Sequence, residues 1–275
     1  MNYKKIGIIG FGSMGKMLAA NFLGAGFVDK DSLFIANRTL SKLEEMKGSA
    51  VICSSNVEAA QQTDFLFICA RPADIKTILE EISDSVKTDT LVVSLNASVS
   101  FSQLEKILCK KCVHKIAKMI PSVTAEINKS QSLVCYNSAI EENDKKQLQE
   151  ILKCLGEVIE LPENEMGMGS ELVSCMPGFI ASIFDVICRS AKAHTEIPEK
   201  QIVQMVLKTV SATSELMLQK NMNFEDVVSR VATKGGITEE GAKVIYDGMP
   251  AVADLMFEKT LEKRKKTTKK AEELF

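Results

Sequence analysis

A glycine-rich hexapeptide lies near the start of the chain, between an apolar run at residues 5–10 and a segment, 14–25, whose apolar residues recur at helical spacing. Its residues are Gly10-Phe11-Gly12-Ser13-Met14-Gly15. Between a strand and a helix, such glycines permit a sharp turn, close approach of the backbone to a pyrophosphate, and tight packing of the helix on the sheet. The N–H groups at the helix start then face the phosphates. The pattern predicts a dinucleotide site; the alternative is a turn without a ligand.

The end of the second predicted strand carries the tripeptide Asn37-Arg38-Thr39. Proteins that bind NAD usually place an Asp or Glu here, which accepts hydrogen bonds from the ribose hydroxyls. This chain has no carboxylate in the tripeptide, and Arg38 can offer a planar guanidinium to a 2′-phosphate, with Asn37 and Thr39 as further donors. The sequence therefore favours NADP(H) over NAD(H); the alternative is a solvated arginine in a strand–helix loop.

Two further groups of residues invite a chemical interpretation. Ala70-Arg71-Pro72 follows a strong apolar run, 65–69, at the sheet edge where ligands of such folds bind. Arg71 either contacts the cofactor or is solvated. Cys109 and Cys112 form a C-x-x-C with His114 nearby, but a structural zinc site commonly needs a second ligand pair, which the sequence lacks. We predict no metal site, and we interpret the eight cysteines as reduced thiols.

The elements that must position these residues alternate between strand and helix. Apolar runs predict strands at 5–10, 33–36, 50–53, 65–69, 91–95, 113–117, 132–136 and 158–161, with helices at 14–25, 41–46, 57–62, 73–82, after 100 and at 144–155. Continuous apolar strands separated by helices predict a parallel sheet covered on both faces. The fold class is thus α/β, an N-terminal Rossmann doubly wound sheet.

The pattern changes after Pro162, where long amphipathic segments replace strands at 164–192, 198–219, 224–231 and 238–262. We therefore expect two domains, a dinucleotide-binding domain at 1–161 and an all-α domain at 162–275. Four amphipathic segments offer more apolar surface than one small bundle needs, which predicts a dimer through this half. Residues 263–270 hold six basic side chains and are expected to form a solvated, frayed helix end, with an anion-binding tail as the alternative.

Composition narrows the partners. The chain has 275 residues with 34 Lys and Arg against 36 Asp and Glu, so no global field favours nucleic acid or an anionic membrane. Uninterrupted apolar runs are strand-sized, short of the roughly 20 residues of a membrane helix. No signal-peptide pattern follows the first residues. We expect a cytoplasmic protein that acts on a small molecule.

Taken together, these motifs resemble those of the pyrroline-5-carboxylate reductase family across nearly the whole chain, and most resemble its late-competence, ComER-like subgroup. The residues that carry the resemblance are the glycine loop at 10–15, Asn37-Arg38-Thr39, Asn56, Ala70-Arg71-Pro72, Pro121, the segment 173–177 and Lys234-Gly235-Gly236-Ile237-Thr238.

The resemblance implies NADPH-dependent reduction of a cyclic imine carboxylate to proline by an intertwined homodimer or higher oligomer. It implies that Asn56 and the 70–72 segment contact the dinucleotide. It further implies that Thr233, Gly235, Gly236 and Thr238 bind the substrate carboxylate. A glycine pair and a threonine at a helix start also suit an anion on general grounds, the alternative being a turn with Thr238 as a helix cap. Thr238 is the candidate hydrogen-bonding partner in catalysis, although an unperturbed hydroxyl is a poor acid.

The chain departs from the family pattern on the substrate side. Ser122 replaces an Asn, Met176 a Gly and Lys234 a Pro of the family motifs. Alternatives therefore remain open: a reductase of a different imine, or a regulatory protein that binds the dinucleotide and has lost turnover. A third is a relative of F420-type or hydroxyacid dehydrogenases that shares only the N-terminal domain, for which Lys192 is too weakly supported as a catalytic lysine.

Overall fold

The structure is a computed structural model that describes residues 4–110 and 112–275. Its N-terminal part is built on an eight-stranded sheet of order β3-β2-β1-β4-β5-β6-β7-β8. The strands are β1 (Ile6–Ile9), β2 (Leu33–Ala36), β3 (Val51–Ile52), β4 (Phe65–Ile68), β5 (Leu91–Ser94), β6 (Lys115–Ile120), β7 (Ser130–Tyr136) and β8 (Gly156–Glu160). The predicted Rossmann class is confirmed, because β1 lies between β2 and β4 and thereby creates the switch point at which such sheets bind ligands.

The sheet departs from the parallel expectation at one place. β6 pairs with β7 in the antiparallel direction, whereas the other neighbouring strands run parallel. The connection between them is the short segment 121–129, too short for the crossover that parallel pairing requires. The strand predicted at 113–117 is also displaced: Val113 lies outside β6 with 68% exposure.

Alternate residues of the central strands feed two apolar cores. Ile6 and Ile8 belong to the cluster that includes residues of α1 and α5, whereas Ile9 belongs to the cluster that includes residues of α2, α3 and α4. These helices are α1 (Ser13–Gly24), α2 (Asn56–Gln62), α3 (Pro72–Ile82), α4 (Phe101–Leu108) and α5 (Glu142–Leu152). Burial on both faces explains why the strands read as continuous apolar runs.

The rest of the chain is helical, as expected. The helices are α6 (Met166–Ser170), α7 (Met176–Lys192), α8 (Glu199–Lys220), α9 (Phe224–Val231) and α10 (Ile237–Glu272), and a π-helical turn, Glu171–Cys175, joins α6 to α7. Many apolar side chains of this part are exposed, and the stretch Glu163–Lys192 contains an 18-residue window, of mean hydropathy 1.6, that is apolar enough to cross a membrane by length and composition alone. The uninterrupted apolar runs within this stretch are strand-sized, as expected, because polar residues such as Ser174, Ser182 and Asp185 divide it.

Two compact units divide the chain differently from the sequence boundary. The first comprises Met1–Pro177 with Leu261–Phe275, and the second comprises Gly178–Thr260. The first unit therefore takes α6, the π turn and the end of α10 in addition to the sheet. The functional boundary near residue 162 stays a prediction.

The basic C-terminal segment is ordered helix, which corrects the expected frayed end. Within the first unit, Ala271 is 2% exposed and packs in the cluster of α2, α3 and α4. Arg264 donates to Glu171 Oε1 from Nε at 3.0 Å and from Nη2 at 2.7 Å, and to Ser170 Oγ at 3.1 Å. Apolar contact and a chelated carboxylate hold this end of the helix against the unit, effects that charge counting along the sequence does not reveal.

Candidate cofactor and substrate sites

The glycine loop between β1 and α1 has the steric requirements that its sequence suggests. Gly10 has φ +96°, and a Cβ there would lie 2.4 Å from the carbonyl oxygen of Cys69 on the neighbouring strand. A Cβ at Gly15 would lie 2.1 Å from the carbonyl oxygen of Gly10, which requires glycine where α1 packs on the loop. At Gly12 a Cβ would meet nothing within 4 Å, so the backbone is open to a ligand. The loop therefore fits a pyrophosphate at the start of α1.

Asn37 connects the end of β2 to this loop. Its Oδ1 accepts from the N–H of Phe11 at 2.9 Å, and its Nδ2 donates to the carbonyl of Thr39 at 2.9 Å. Phe11 itself is buried, so only its backbone is available to a ligand. Asn37 thus positions the glycine loop through contacts that the sequence reading, which treated it as a donor to phosphate, did not anticipate.

Most of the predicted cofactor residues line one cleft of about 850 Å³ at the carboxyl edge of the sheet. They are Gly10, Phe11, Gly12, Asn37, Arg38, Thr39, Asn56, Ala70 and Arg71. The other four predicted residues follow cleft residues directly in the sequence. Ser13, Met14 and Gly15 lie in the first turn of α1, and Pro72 lies in the first turn of α3. The side chains of Arg38 and Arg71 are 82% and 75% exposed.

Helix α3 supplies cleft residues that sequence reasoning missed. Asp74, Thr77, Ile78 and Glu81 line the cleft. With Arg71 at the N-cap, they recur at the i, i+3, i+4 and i+7 spacing of one helix face, a signal that was available once Pro72 marked the helix start. Asn56, at the start of α2, donates from Nδ2 to Glu81 Oε2 at 2.7 Å. One face of α3 therefore forms a wall of the cleft.

A cysteine thiol, that of Cys69, also lines this cleft. Cys69 follows β4, and burial raises the pKa of its thiol far above the usual range. A protonated thiol contributes shape rather than charge. The cleft thus offers backbone N–H groups, the two guanidinium groups, the ammonium group of Lys42 and two carboxylates, a set suited to binding and positioning.

The predicted substrate loop precedes α10 and lies in the second unit. Gly235 has φ +72°, the N–H of Gly236 donates to the carbonyl of Thr233 at 2.8 Å, and a Cβ at Gly236 would meet Thr233 Oγ1 at 2.4 Å. The turn therefore requires glycine at both positions. Thr238 is exposed in the first turn of α10, which begins at Ile237, so it does not occupy the cap position.

A carboxylate already contacts this loop. The N–H of Gly235 donates to Oε2 of Glu239 at 2.6 Å. An anion can thus be held at this helix start, as its dipole favours. In this structure the side chain of Glu239 occupies the N–H of Gly235.

The residues that depart from the family pattern are distributed over both units. Ser122 is buried, with its N–H donating to Ser130 Oγ at 3.0 Å, and Met176 starts α7. Lys234 is exposed. Lys192 Nζ lies 3.4 Å and 3.3 Å from the carbonyl oxygens of Thr195 and Ile197, so it contacts the loop that follows its own helix.

The C-x-x-C segment is a local hydrogen-bonded turn. The N–H of His114 lies 3.4 Å from Cys109 Sγ, and His114 Nε2 lies 3.2 Å from Cys112 Sγ. Lys111, between the cysteines, lies outside the described residues. Over residues 4–110 and 112–275, no group of three His, Cys, Asp or Glu side chains is arranged to hold a metal ion.

The fold and the cleft define a dinucleotide-binding oxidoreductase, and comparison with known proteins refines the class. Residues 5–98 match the family described as NADP oxidoreductase coenzyme F420-dependent, and residues 163–267 match pyrroline-5-carboxylate reductase dimerisation. The second match overturns the alternative in which only the N-terminal domain is shared.

Individual relatives extend over nearly the full length. Pyrroline-5-carboxylate reductase 3 of Bacillus subtilis is 33% identical over 94% of this chain and 95% of its own, and ComE operon protein 4 of the same organism is 25% identical over 93% of each. The structure of Plasmodium falciparum pyrroline carboxylate reductase with NADP bound superposes with a TM-score of 0.82 at 19% identity, covering 100% of this chain and 99% of that one.

The chain belongs to the pyrroline-5-carboxylate reductase family. It is an NADP(H)-dependent oxidoreductase of the class that acts on CH–NH groups.

Proposed function

We propose that this protein uses NADPH to reduce the C=N bond of a cyclic imine carboxylate, of the Δ1-pyrroline-5-carboxylate type, to the corresponding amine. The observation that carries the cofactor half of the proposal is the cleft in which the open backbone of Gly12 and the guanidinium groups of Arg38 and Arg71 face one space. The names of the full-length relatives support the substrate half.

The residues of the cleft have separate roles in this proposal. The loop at residues 10–15 receives the pyrophosphate, and Asn37 keeps that loop in place through the N–H of Phe11. Arg38, with Arg71 and Thr39, receives the 2′-phosphate, because a guanidinium matches phosphate geometry and no carboxylate occupies the tripeptide. Asn56 contacts the adenosine, and Ala70 and Pro72 shape the edge of β4.

The loop before α10 is the proposed substrate site. Gly235 and Gly236 offer backbone N–H groups, and Thr233 and Thr238 offer hydroxyls, to the substrate carboxylate. Its arrival displaces Glu239 from Gly235. Fixing one end of the ring in this way aligns the C=N bond, and alignment is the main contribution that a protein makes to hydride transfer.

Reduction of the C=N bond consumes one hydride and one proton. When bound, NADPH supplies the hydride that reaches the imine carbon, and one proton must reach the nitrogen. Thr238 is the proposed hydrogen-bonding partner that holds the nitrogen, or the water beside it, while the proton arrives. A threonine hydroxyl is a poor acid, so the role of Thr238 is to orient the incoming proton by a hydrogen bond and not to supply its own.

We also propose a homodimer through residues 162–275, with the dinucleotide domain at 1–161. The support is the match of residues 163–267 to a dimerisation family and the exposed apolar side chains of the second unit, among them Val186 and Val244 with exposures of 65% and 73%. A second copy would cover these side chains, including the apolar face of Glu163–Lys192. The cytoplasmic location stays a prediction.

A substrate comparison tests the proposal. Wild type and Thr238→Ala are assayed by NADPH oxidation with pyrroline-5-carboxylate and with 1-pyrroline, which lacks the carboxylate. We expect kcat/KM to favour the acid in the wild type, and Thr238→Ala to lower it about tenfold or more for the acid. Equal rates for the two imines refute the carboxylate anchor. Binding of NADPH without turnover of any cyclic imine identifies the regulatory alternative instead.

A further inference from the structure

Two acidic side chains on one face of α3 contact residues of the proposed adenosine site. Asp74 contacts Arg71, from Oδ2 to Nε at 3.0 Å, and Arg38, from Oδ1 to Nη1 at 3.6 Å. Two helical turns further on, Glu81 accepts from Asn56 at 2.7 Å. All five residues line the same cleft.

The two acids differ in what they engage. Asp74 pairs with both guanidinium groups available to a 2′-phosphate and offsets one of their two charges, whereas Glu81 engages an amide that would serve the adenosine of either dinucleotide. Both arginine side chains are more than 70% exposed, so these ion pairs are weak and easily exchanged. Arg38 and Arg71 are separated by 33 positions in sequence, and the shared carboxylate brings their charges to one corner of the cleft.

We propose that Asp74 is a specificity-determining residue: it occupies Arg38 and Arg71 in the absence of cofactor, and it is exchanged for the 2′-phosphate when NADPH binds. The inference rests on the proposed role of Arg38. Its consequence is that Asp74 lowers the preference for NADPH over NADH, because the phosphate must displace a carboxylate that then remains beside it. With Asp74 present, the site that contains both arginines therefore binds NADPH less tightly than it would without this carboxylate.

Electrostatics fixes the sign of the effect. A carboxylate within about 5 Å of a bound phosphate opposes binding, and removing it favours the dianion more than an uncharged ribose hydroxyl. The opposite sign would apply if Asp74 mainly preorganised the guanidinium groups. Because the arginine side chains are so exposed, the affinity gained by ordering them is smaller than the affinity lost to repulsion between the carboxylate and the phosphate.

The test measures dissociation constants of the full-length protein by fluorescence titration for NADPH, NADH, adenosine 2′,5′-bisphosphate and 5′-AMP. For Asp74→Asn we expect tighter binding of NADPH and of the bisphosphate by about three- to tenfold, with NADH and AMP unchanged within about twofold. The gain should shrink as salt is raised, because exposed charges are screened. The unchanged NADH constant also reports that the variant is folded.

Glu81→Gln is the matched control, since it removes the same charge from the same helix face. It should change the constants for NADPH and NADH by similar factors and leave their ratio unaltered. The proposal is overturned if Asp74→Asn weakens NADPH or leaves it unchanged, or if Glu81→Gln shifts the ratio as much as Asp74→Asn does, since the effect would then be one of net charge.

Arg38→Ala separates this inference from the function on which it rests. If Arg38→Ala lowers the affinity for NADPH selectively and Asp74→Asn does not raise it, the role of Asp74 fails alone. If Arg38→Ala leaves the NADPH to NADH ratio unchanged, the proposed assignment of the 2′-phosphate site fails, and the role of Asp74 fails with it.

Discussion

The two compact units of this chain bury their apolar side chains to very different extents. The first unit contains two extended cores on the faces of the sheet. In the second unit, among the described residues, the buried hydrophobic side chains are Cys188 and Ile202, whereas apolar side chains such as Val186, Phe224 and Ile237 are 65%, 78% and 95% exposed. Because apolar burial is the main favourable contribution to folding, we expect the first unit to be stable without further contacts and the second unit to need them.

The same difference distinguishes the cofactor cleft from the proposed substrate loop. The cofactor cleft lies within the unit that has its own core, and its glycine loop is held at the end of β2, where the N–H of Gly10 donates to the carbonyl of Ala36 and the N–H of Phe11 donates to Asn37 Oδ1. The substrate loop lies in the unit that needs further apolar contacts. We therefore expect cofactor binding to depend on the chain alone and substrate binding to depend on assembly.

The largest effect should follow from placing charge on the exposed apolar face of the second unit. In the double variant Val186→Glu/Val244→Glu, each apolar side chain lost from the proposed interface weakens the free energy of dimerisation by about 1.5–3 kcal/mol. Each loss occurs twice, because a symmetric dimer contains two copies of the side chain. We expect the dimer mass to fall to that of a monomer in light scattering at micromolar concentration. Lys200→Glu, at an exposed charged position of α8, is the control that should stay dimeric. A wild type that is already monomeric contradicts the comparison.

The next effect tests whether the end of α10 belongs to the first unit. Glu171 is buried, and Arg264 chelates its Oε1, so Arg264→Met leaves a carboxylate without its counter-ion. We expect a loss of about 3–5 kcal/mol in the free energy of unfolding, measured in urea. The double variant Arg264→Met/Glu171→Leu should recover much of this loss. Arg189→Met, which removes an exposed pair with Asp185, should cost under about 1 kcal/mol.

A smaller effect concerns the carboxylate held in the substrate loop. Glu239→Gln weakens the contact with the N–H of Gly235, so a substrate carboxylate displaces it more easily. We expect KM for pyrroline-5-carboxylate to fall about threefold, with little change for 1-pyrroline. Glu240→Gln, whose carboxylate pairs with Lys243 instead, is the control. A rise in KM for the acid with Glu239→Gln would mean that this side chain supports the loop in its binding conformation.

The smallest effect is a pH dependence within the first unit. His114 is buried, and desolvation lowers its pKa below the ordinary value of 6.5. The unfolded chain therefore takes up a proton near pH 6.5 that the folded chain resists, so stability falls as the pH drops below about 6.5. His114→Gln should reduce the shift of the urea midpoint between about pH 7 and pH 5. His194→Gln, at the exposed histidine of the second unit, should leave that shift unchanged.

Local sequence patterns were enough to predict most of the sheet-containing part of the first unit, but not its segments after residue 162. The spacing of glycines, the apolar runs and Pro72 predicted the alternation of strands and helices and the Rossmann class, and together with the family resemblance they named nine residues of the cleft. The antiparallel β7 was missed because apolar runs carry no direction, and only the short connection at 121–129 reveals it.

Long-range contacts account for the rest of what the sequence did not predict. Asn37 was expected to donate to phosphate, but its amide atoms engage Phe11 and Thr39. The i, i+3, i+4, i+7 spacing of α3 could have indicated the face that carries Asp74 and Glu81, but their partners Arg38 and Asn56 are distant in the chain, and only Arg71 is a local partner of Asp74. The buried Glu171–Arg264 pair joins residues 93 positions apart, which no local pattern can indicate.

The most direct test of the central claim measures NADPH affinity and turnover on the same dimer-breaking variant, Val186→Glu/Val244→Glu. We predict that NADPH binds within about threefold of the wild-type dissociation constant, because the cofactor cleft lies in the unit with its own core. Turnover of pyrroline-5-carboxylate should fall by about a hundredfold or more, because the substrate loop lies in the unit that needs a second copy. A monomeric variant that loses NADPH binding together with turnover, or that keeps full turnover, would contradict the account.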